Sequence, residues 1–313
     1  MHGRRSSSAP PGLLGCRILT VAAVADPRPP HKEVGLQAFV EARYEYHWAP
    51  LLGCLVGQLE HIGAAQPSHV IGAVTGISYQ PPQDAELPAL LENGLTALGV
   101  GSRIVNQSFP NRLQRFRWRQ RVRSELRADR PVTAYGVGVS AFGPTWGLIV
   151  GCDDERRAWR RDGPMTEQVS PWLPEAELNA APVLIAIAAR EVGPTARERI
   201  EQIAAQAFDH SLDRAERDLV ERLELLNSDI EIEPQRYSHE VQALAANWGE
   251  AATFWREFPH EDFGPIAQLI AVALSRYSTL FPYPMGGQPN NPGVRSAAVH
   301  ILHEAAEILA AGH

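Results

Sequence analysis

Short apolar runs alternate with helix-like patterns along the first half of the chain. Unbroken apolar runs between turn residues are typical of strands buried on both faces, whereas apolar positions three and four residues apart are typical of one-sided helices. On this basis strands are predicted at residues 17–24, 69–78, 103–109, 132–140 and 146–152. Helices are predicted at residues 32–63 with a break at Pro50, at 86–98 and at 111–129.

The predicted order of these elements is β-α-β-α-β-α-β-β. Strands that alternate with helices pair in parallel through right-handed crossovers, because each helix covers a face of the sheet while the chain returns to its starting edge. The short connection at Gly143-Pro144 predicts that the last strand is antiparallel to its neighbour. The predicted fold class is therefore α/β, with a three-layer mixed, mostly parallel sheet.

Helical spacing dominates the chain from about residue 162 onward. Helices are predicted at residues 195–226, 237–258, 265–280 and 293–310, and residues 182–189 fit one more strand. Residues 1–15 are rich in Ser, Pro, Gly and Arg and are predicted to be a disordered tail. The predicted organisation is this tail, an α/β domain at 16–161 and a mainly helical region at 162–313. The helical region either caps the sheet or forms its own lobe.

Polar side chains follow several of the predicted strands. The carboxyl ends of parallel strands meet at one edge of the sheet, where loops and helix N-termini form a ligand crevice. The candidate catalytic residues there are Asp26, Ser78, Asn106 and Ser108, and the candidate ligand-binding residues are Tyr79, Gln107, Arg112 and Arg115, the arginines for an anionic group. Each residue taken singly also fits a turn or a helix cap, so the prediction rests on the set.

Other reactive side chains give weaker signals. A nucleophilic Cys152 would need His69 as its base. His69, however, begins a predicted strand and so lies at the edge of the sheet opposite the ligand crevice, and the two aspartates after Cys152 would raise the pKa of the thiol. The acidic residues 153–155 are interpreted as the start of a helix rather than as a cation site. Histidines and glutamates at 300–307 share a helix face without the spacing of the known helical zinc motif. No metal site is predicted, and the cofactor is unknown.

The distribution of charge along the chain points to one segment in particular. The 313 residues carry a net charge of −7, and 28 arginines stand against one lysine, which we interpret as the codon bias of a GC-rich bacterial genome. Residues 111–130 hold eight arginines and two acidic residues, a formal charge of +6 that leaves −13 for the rest of the chain. On a helical wheel Trp118, Val122 and Leu126 form a buried stripe, and the arginines cover the remaining surface.

This arginine-rich helix has two interpretations. Its guanidinium groups fit phosphate groups, a nucleic acid or an acidic protein partner. The simpler interpretation is a solvated helix whose arginines pair with acidic neighbours, for which the stretch at 213–233 is a candidate. The acidic net charge disfavours a nucleic acid without excluding one, because counterion release requires a basic surface.

The cysteine content and the length of the apolar runs indicate the compartment in which the protein is found. Three scattered cysteines form neither a disulfide framework nor a metal knuckle, which favours a reducing, cytoplasmic compartment. The alternative is an export signal within residues 1–25, where Arg4 and Arg5 precede an apolar run. No stretch reaches the roughly 20 uncharged apolar residues of a membrane span. The sequence also lacks the common nucleotide-loop, nucleophile-elbow, zinc and EF-hand motifs.

Two glycine-containing segments resemble the β-ketoacyl synthases. Residues 141–151, AFGPTWGLIVG, look like the closing strands of those enzymes, and residues 67–82 are similar to one of their strands and turns. The resemblance covers at most residues 17–151 and implies one half of a thiolase-like fold. The family uses a nucleophilic cysteine with His and His or Asn partners, but here no cysteine starts the helix after 103–109 and no histidine follows Ser78. The resemblance therefore implies a scaffold without the triad, or a partner subunit.

Two functions follow as hypotheses. The first is an enzyme of hydrolase or transferase type that binds a small polar or acyl ligand at the strand carboxyl ends. The second is a non-catalytic subunit or regulatory module of a multiprotein system, whose arginine-rich helix at 111–130 binds an acidic partner or nucleic acid.

Overall fold

The structure is a computed structural model that describes residues 38–79, 87–180 and 183–311. The predicted tail, the predicted strand at 17–24, the export signal and the candidate residue Asp26 lie outside these residues. The strands are β1 (Ala38–Phe39), β2 (Val100–Ser108), β3 (Val132–Ser140), β4 (Gly143–Asp153), β5 (Ala158–Asp162), β6 (Trp172–Pro174) and β7 (Val183–Glu191). The helices are α1 (Pro50–His61), α2 (Ser68–Val74), α3 (Leu87–Ala97), α4 (Arg112–Arg127), α5 (Glu175–Ala180), α6 (Arg197–Asn227), α7 (Pro234–Glu257), α8 (Phe263–Thr279) and α9 (Pro292–Ala310).

All strand pairings in the described residues are antiparallel. The strands form one sheet in the order β2-β7-β3-β4-β5-β6. β1 pairs with the end of β4 that extends beyond β3, with Ala38 opposite Cys152. The prediction of a mostly parallel sheet is therefore wrong.

The error has a local cause. The apolar run at 69–78 predicts a strand, but the structure has α2 there, and residues 70–74 of this helix are all buried. A helix enclosed on all sides shows the same unbroken apolar run as a central strand. Without that strand β2 pairs with β7, far along the chain, while short connections join β3 to β4 and β4 to β5 as antiparallel neighbours. The residues after Asp153, predicted to start a helix, turn into β5 instead.

The sheet lies between two hydrophobic cores. On one face, α1 to α3 and α6 to α9 enclose the larger core, which includes Ile185 and Ile187 of β7. On the other face, the apolar stripe of α4 packs against β3 and β4 and against Ala186, which lies between Ile185 and Ile187 on β7. Gln58 fixes α1 to the sheet, because its amide donates to the carbonyl oxygens of Pro131 at 2.8 Å and Ile187 at 3.0 Å.

Four long helices follow β7 at the positions that apolar spacing predicts. Each of α6 to α9 begins and ends within three residues of its predicted bounds. The predicted strand at 182–189 corresponds to β7, which lies between β2 and β3 and so contributes a strand from the C-terminal region to the sheet. The division of the chain near residue 162 stays a prediction.

Candidate functional site

The arginine-rich helix α4 begins with a capping box and buries one side. The side chain of Asn111 accepts from the Gln114 N–H at 2.9 Å, and the Gln114 side chain accepts from the Asn111 N–H at 2.7 Å. These bonds satisfy two N–H groups that a helix start otherwise leaves unpaired. Trp118, Val122 and Leu126 are buried against the sheet, which confirms the stripe predicted from the helical wheel.

One flank of α4 carries arginines that are already paired. Arg123 contacts the carboxylates of Asp154 at 2.6 Å and Glu175 at 2.7 Å, and Arg119 contacts Glu175 at 3.1 Å. These carboxylates come from the turn between β4 and β5 and from the first residue of α5. They do not come from the acidic stretch at 213–233 that the sequence suggested. This flank therefore holds the helix in place.

The outer face of α4 combines exposed apolar side chains with arginines. Phe109 stands at the entry to the helix, and Leu113 and Phe116 lie three residues apart on it; their exposed fractions are 82%, 56% and 49%. Arg112 and Arg117 are exposed next to them and have no ion-pair partner among the described residues. We call these five residues the outer face of α4. Large apolar side chains exposed together mark binding surfaces in folded proteins.

The basic character extends from α4 towards the edge of the sheet. Arg103 is exposed on β2, which pairs only with β7 among the described strands. Burial and the positive charge of Arg103 lower the pKa of the Arg121 guanidinium, although Glu125 partly offsets them. Two arginines from different elements are therefore close enough to repel each other, so the basic surface of α4 continues onto β2.

The junction of β2 and α4 brings together five residues predicted for the site: Asn106, Gln107, Ser108, Arg112 and Arg115. β2 ends here, with Ser108 opposite Val183 of β7. Arg115 donates from Nε to the carbonyl oxygen of Pro110 at 3.0 Å, which ties it to the start of the helix. Sequence reasoning missed the exposed Phe109, Leu113 and Phe116. The sequence does contain an indication of them, because these three apolar residues do not belong to the buried stripe of the helical wheel.

Ser78 and Tyr79 lie elsewhere, in the larger core after α2. Both side chains are fully buried, and the Tyr79 ring contacts that of Phe208 with 4.8 Å between their centroids. Burial raises the pKa of the Tyr79 hydroxyl well above its ordinary value. The structure does not bring these two residues to the β2–α4 junction, because the segment before them is the buried helix α2 and not a strand of the sheet. The catalytic roles of Ser78, Asn106 and Ser108 stay predictions.

The remaining reactive groups of the described residues do not form a second chemical centre. Cys54 and Cys152 are buried free thiols, and burial is the largest cause that raises the pKa of each. Within the same ranges no group of three or more His, Cys, Asp or Glu side chains could hold a metal ion. Neither thiol is therefore suited to act as a nucleophile at neutral pH.

The fold and the outer face of α4 define the class: an antiparallel α/β protein that presents a basic, partly apolar helix face. Comparison with protein-family models and with curated proteins finds no match for the chain. The resemblance to β-ketoacyl synthases stays a prediction. Across the described ranges no helix combines the length and the apolar character that crossing a membrane requires.

Proposed function

We propose that the protein is a non-catalytic binding module that holds an acidic protein partner on the outer face of α4. The observation that carries this proposal is the combination, on one surface, of exposed apolar side chains and arginines that have no ion-pair partner among the described residues. Aromatic residues and arginine are enriched where proteins bind each other, and they contribute much of the binding energy there.

The apolar side chains favour a protein over a nucleic acid as the partner. Contacts to the phosphate backbone of a duplex need arginines alone and leave no use for exposed Phe109, Leu113 and Phe116, and the net charge of −7 disfavours a nucleic acid of either kind. An acidic amphipathic helix accounts for both components, because its apolar side chains cover these three while its carboxylates pair with Arg112 and Arg117. Full burial of an apolar side chain of this size contributes roughly 1.5–3 kcal/mol before the cost of association.

The paired flank of α4 makes this surface rigid. Arg119 and Arg123 are fixed on Glu175 and Asp154, and the buried stripe fixes the opposite side of the helix. A surface that needs no rearrangement avoids part of the ordering cost of binding. Charge reversal at Arg119 or Arg123 would disturb the fold, so Arg112 and Arg117 are the residues to change in a test.

We place the module in the cytoplasm, as part of a multiprotein system. The support is that Cys54 and Cys152 are buried and form no disulfide within the ranges that the structure describes. Free thiols of this kind are typical of proteins kept in a reducing compartment.

Fluorescence anisotropy with a labelled synthetic helix tests the proposal. The probe is a peptide of about 20 residues with leucines on one face and glutamates along its flanks. We expect the double variant Arg112→Glu/Arg117→Glu to weaken binding by about tenfold or more and to reduce its salt dependence. The triple variant Phe109→Ser/Leu113→Ser/Phe116→Ser should weaken it about equally and leave the salt dependence in place.

The matched control is Leu269→Ser/Val272→Ser, which removes exposed apolar side chains from α8 and should bind as the unmodified protein does. Circular dichroism establishes that each variant is folded. The proposal fails if the probe does not bind, or if the outer-face variants bind it as the control does. Tighter binding of a single-stranded oligonucleotide or of anionic vesicles, lost in the same variants, also overturns it.

A further inference from the structure

A cavity of about 420 Å³ lies beside α4, between this helix, the turn that joins β4 to β5 and the start of α5. The side chains that line it are Gln120, Arg123, Arg127, Asp154, Arg157 and Glu175. We call it the α4–α5 cavity. Every lining side chain is polar or charged, so the cavity suits a charged ligand better than an apolar one.

The floor of the α4–α5 cavity is a fixed ion-pair network. The guanidinium of Arg123 is held by Asp154 and Glu175 and lies over the Trp159 ring, 5.3 Å from its centroid. The side chains of Arg123 and Glu175 are only 15% and 7% exposed. Because this network is already formed and largely desolvated, a ligand would not have to order it.

Two further arginines of the cavity are not engaged. Arg127 and Arg157 have no ion-pair partner among the described residues. Arg157 has a φ of 52°, a left-handed conformation that costs a residue other than glycine about 1–2 kcal/mol. The N–H of Glu175 donates to the Arg157 carbonyl oxygen at 2.9 Å and so ties this strained turn to α5. Backbone strain that is held in place by neighbouring contacts is concentrated at functional sites.

The charges of the cavity do not balance. The lining side chains together with Arg119, which pairs with Glu175, comprise four guanidinium groups and two carboxylates, an excess of two positive charges. A phosphomonoester carries a charge of about −1.5 to −2 at neutral pH, whereas a single carboxylate would neutralise only half of the excess. The planar fork of arginine also matches pairs of phosphate oxygens.

We propose that the α4–α5 cavity binds a phosphomonoester dianion. Arg127 and Arg157 donate to its oxygens, the Gln120 amide donates a further hydrogen bond, and Arg123 stays on its carboxylates beneath the ligand. A small phosphorylated metabolite and a phosphorylated side chain of the partner present the same chemistry. The inference goes beyond the proposed function, because it does not require the outer face of α4 to be occupied.

Isothermal titration calorimetry with inorganic phosphate and with phosphoserine tests this site. We expect a dissociation constant of about 1 mM or tighter, weakened about tenfold or more in Arg127→Ala/Arg157→Ala. Arg127→Lys/Arg157→Lys keeps the two positive charges but loses the planar guanidinium groups, so its affinity for phosphate should lie between those of the unmodified protein and the alanine variant. Arg236→Ala on α7, an exposed arginine outside the cavity, is the control and should bind normally. The affinity for phosphoserine should rise between about pH 5 and 7.5, because the dianion of a phosphomonoester forms with a pKa of about 6.

Phosphate binding that is the same in Arg127→Ala/Arg157→Ala as in the control overturns the inference, and so does an affinity that does not rise with pH. A comparison of ligands distinguishes the two sources. Phosphoserine that binds as tightly as a phosphorylated form of the acidic probe peptide assigns the site to a small metabolite. A phosphopeptide that binds more tightly than both phosphoserine and the unmodified peptide assigns it to a modified partner.

The unmodified acidic peptide separates this inference from the proposed function. Its binding depends on the outer face, so it should be retained in Arg127→Ala/Arg157→Ala. If that peptide does not bind the unmodified protein but phosphate does, only the proposed function fails.

Discussion

The arginines on the outer face of α4 differ from those of the C-terminal helices in the partners that they have within the molecule. Arg295 of α9 is used entirely within the molecule: it donates to the carbonyl oxygens of Leu226, Ser228, Ile230 and Pro289 and to the side chain of Asn290. Arg222 of α6 pairs with Asp218 at 2.8 Å. On the outer face of α4, in contrast, Arg112 and Arg117 have no ion-pair partner among the described residues.

This comparison shows that arginine content alone does not mark function in this chain. Arginine supplies nearly all of its basic side chains, including those that only join one segment to another. What distinguishes the outer face of α4 is that its guanidinium groups have no ion-pair partner in the described part of the chain and lie next to exposed apolar side chains. In this protein the arginines without an ion-pair partner among the described residues are the candidates for binding, since the paired ones already stabilise the fold.

The largest effect expected from this comparison is at Arg295. Arg295→Ala should lower the free energy of unfolding by about 2–3 kcal/mol, because several loop carbonyl oxygens lose their donor, whereas Arg117→Ala should change it by about 0.5 kcal/mol or less. Arg295→Lys should not restore stability, since one ammonium group cannot span the same acceptors. Urea denaturation measures all three variants. Equal stability of Arg295→Ala and Arg117→Ala would remove the distinction between the two regions.

A smaller effect concerns Glu250 of α7, whose side chain is 24% exposed and contacts His47 within the molecule. Burial alone would raise the pKa of its carboxyl, but hydrogen bonds from His47 and Ser68 and the charges of His47 and His69 outweigh burial and lower it. Because the folded pKa lies below the unfolded one, this stabilisation is present above the unfolded pKa and is lost as the pH falls through the folded value.

Glu250→Gln should therefore lower the free energy of unfolding at neutral pH by about 1 kcal/mol. The difference from the unmodified protein should shrink as the pH falls below about 4. Thermal denaturation over this pH range measures it, with Glu240→Gln, an exposed carboxylate on the same helix, as control. A difference that stays constant with pH contradicts the role given to the ionised carboxylate.

The sequence predicts elements where one local pattern decides them. The buried stripe of α4, the strands β3 and β4 and the helices α6 to α9 all follow from spacing alone. The pairing of β2 with β7 does not, because strands adjacent in sequence are neighbours more often than not and nothing local encodes the exception. The pattern at α2 predicts a strand because burial on all sides removes the periodicity that separates a helix from a strand.

The candidate site was predictable in part for the same reason. The arginine excess of α4 is visible in the sequence, as is the polar end of β2. Which arginines are paired is not visible, because Asp154 and Glu175 reach Arg123 from other elements. Only the tertiary structure therefore separates the flank that holds the helix from the face that is open to a partner.

The smallest effect tests whether the outer face is maintained at the expense of stability. Phe109 has a φ of 49°, and its side chain is 82% exposed, so it gains little from burial while its backbone is strained. Glycine relieves that strain but adds freedom to the unfolded chain, and the two terms leave a net stabilisation of about 0.5 kcal/mol for Phe109→Gly. Phe109→Ala keeps the left-handed strain and should not stabilise. Urea denaturation compares the two variants, and anisotropy with the acidic peptide should show weaker binding by both. A Phe109→Gly variant that is less stable than the unmodified protein would mean that this side chain serves the fold, which would place it with Arg295 rather than with the outer face.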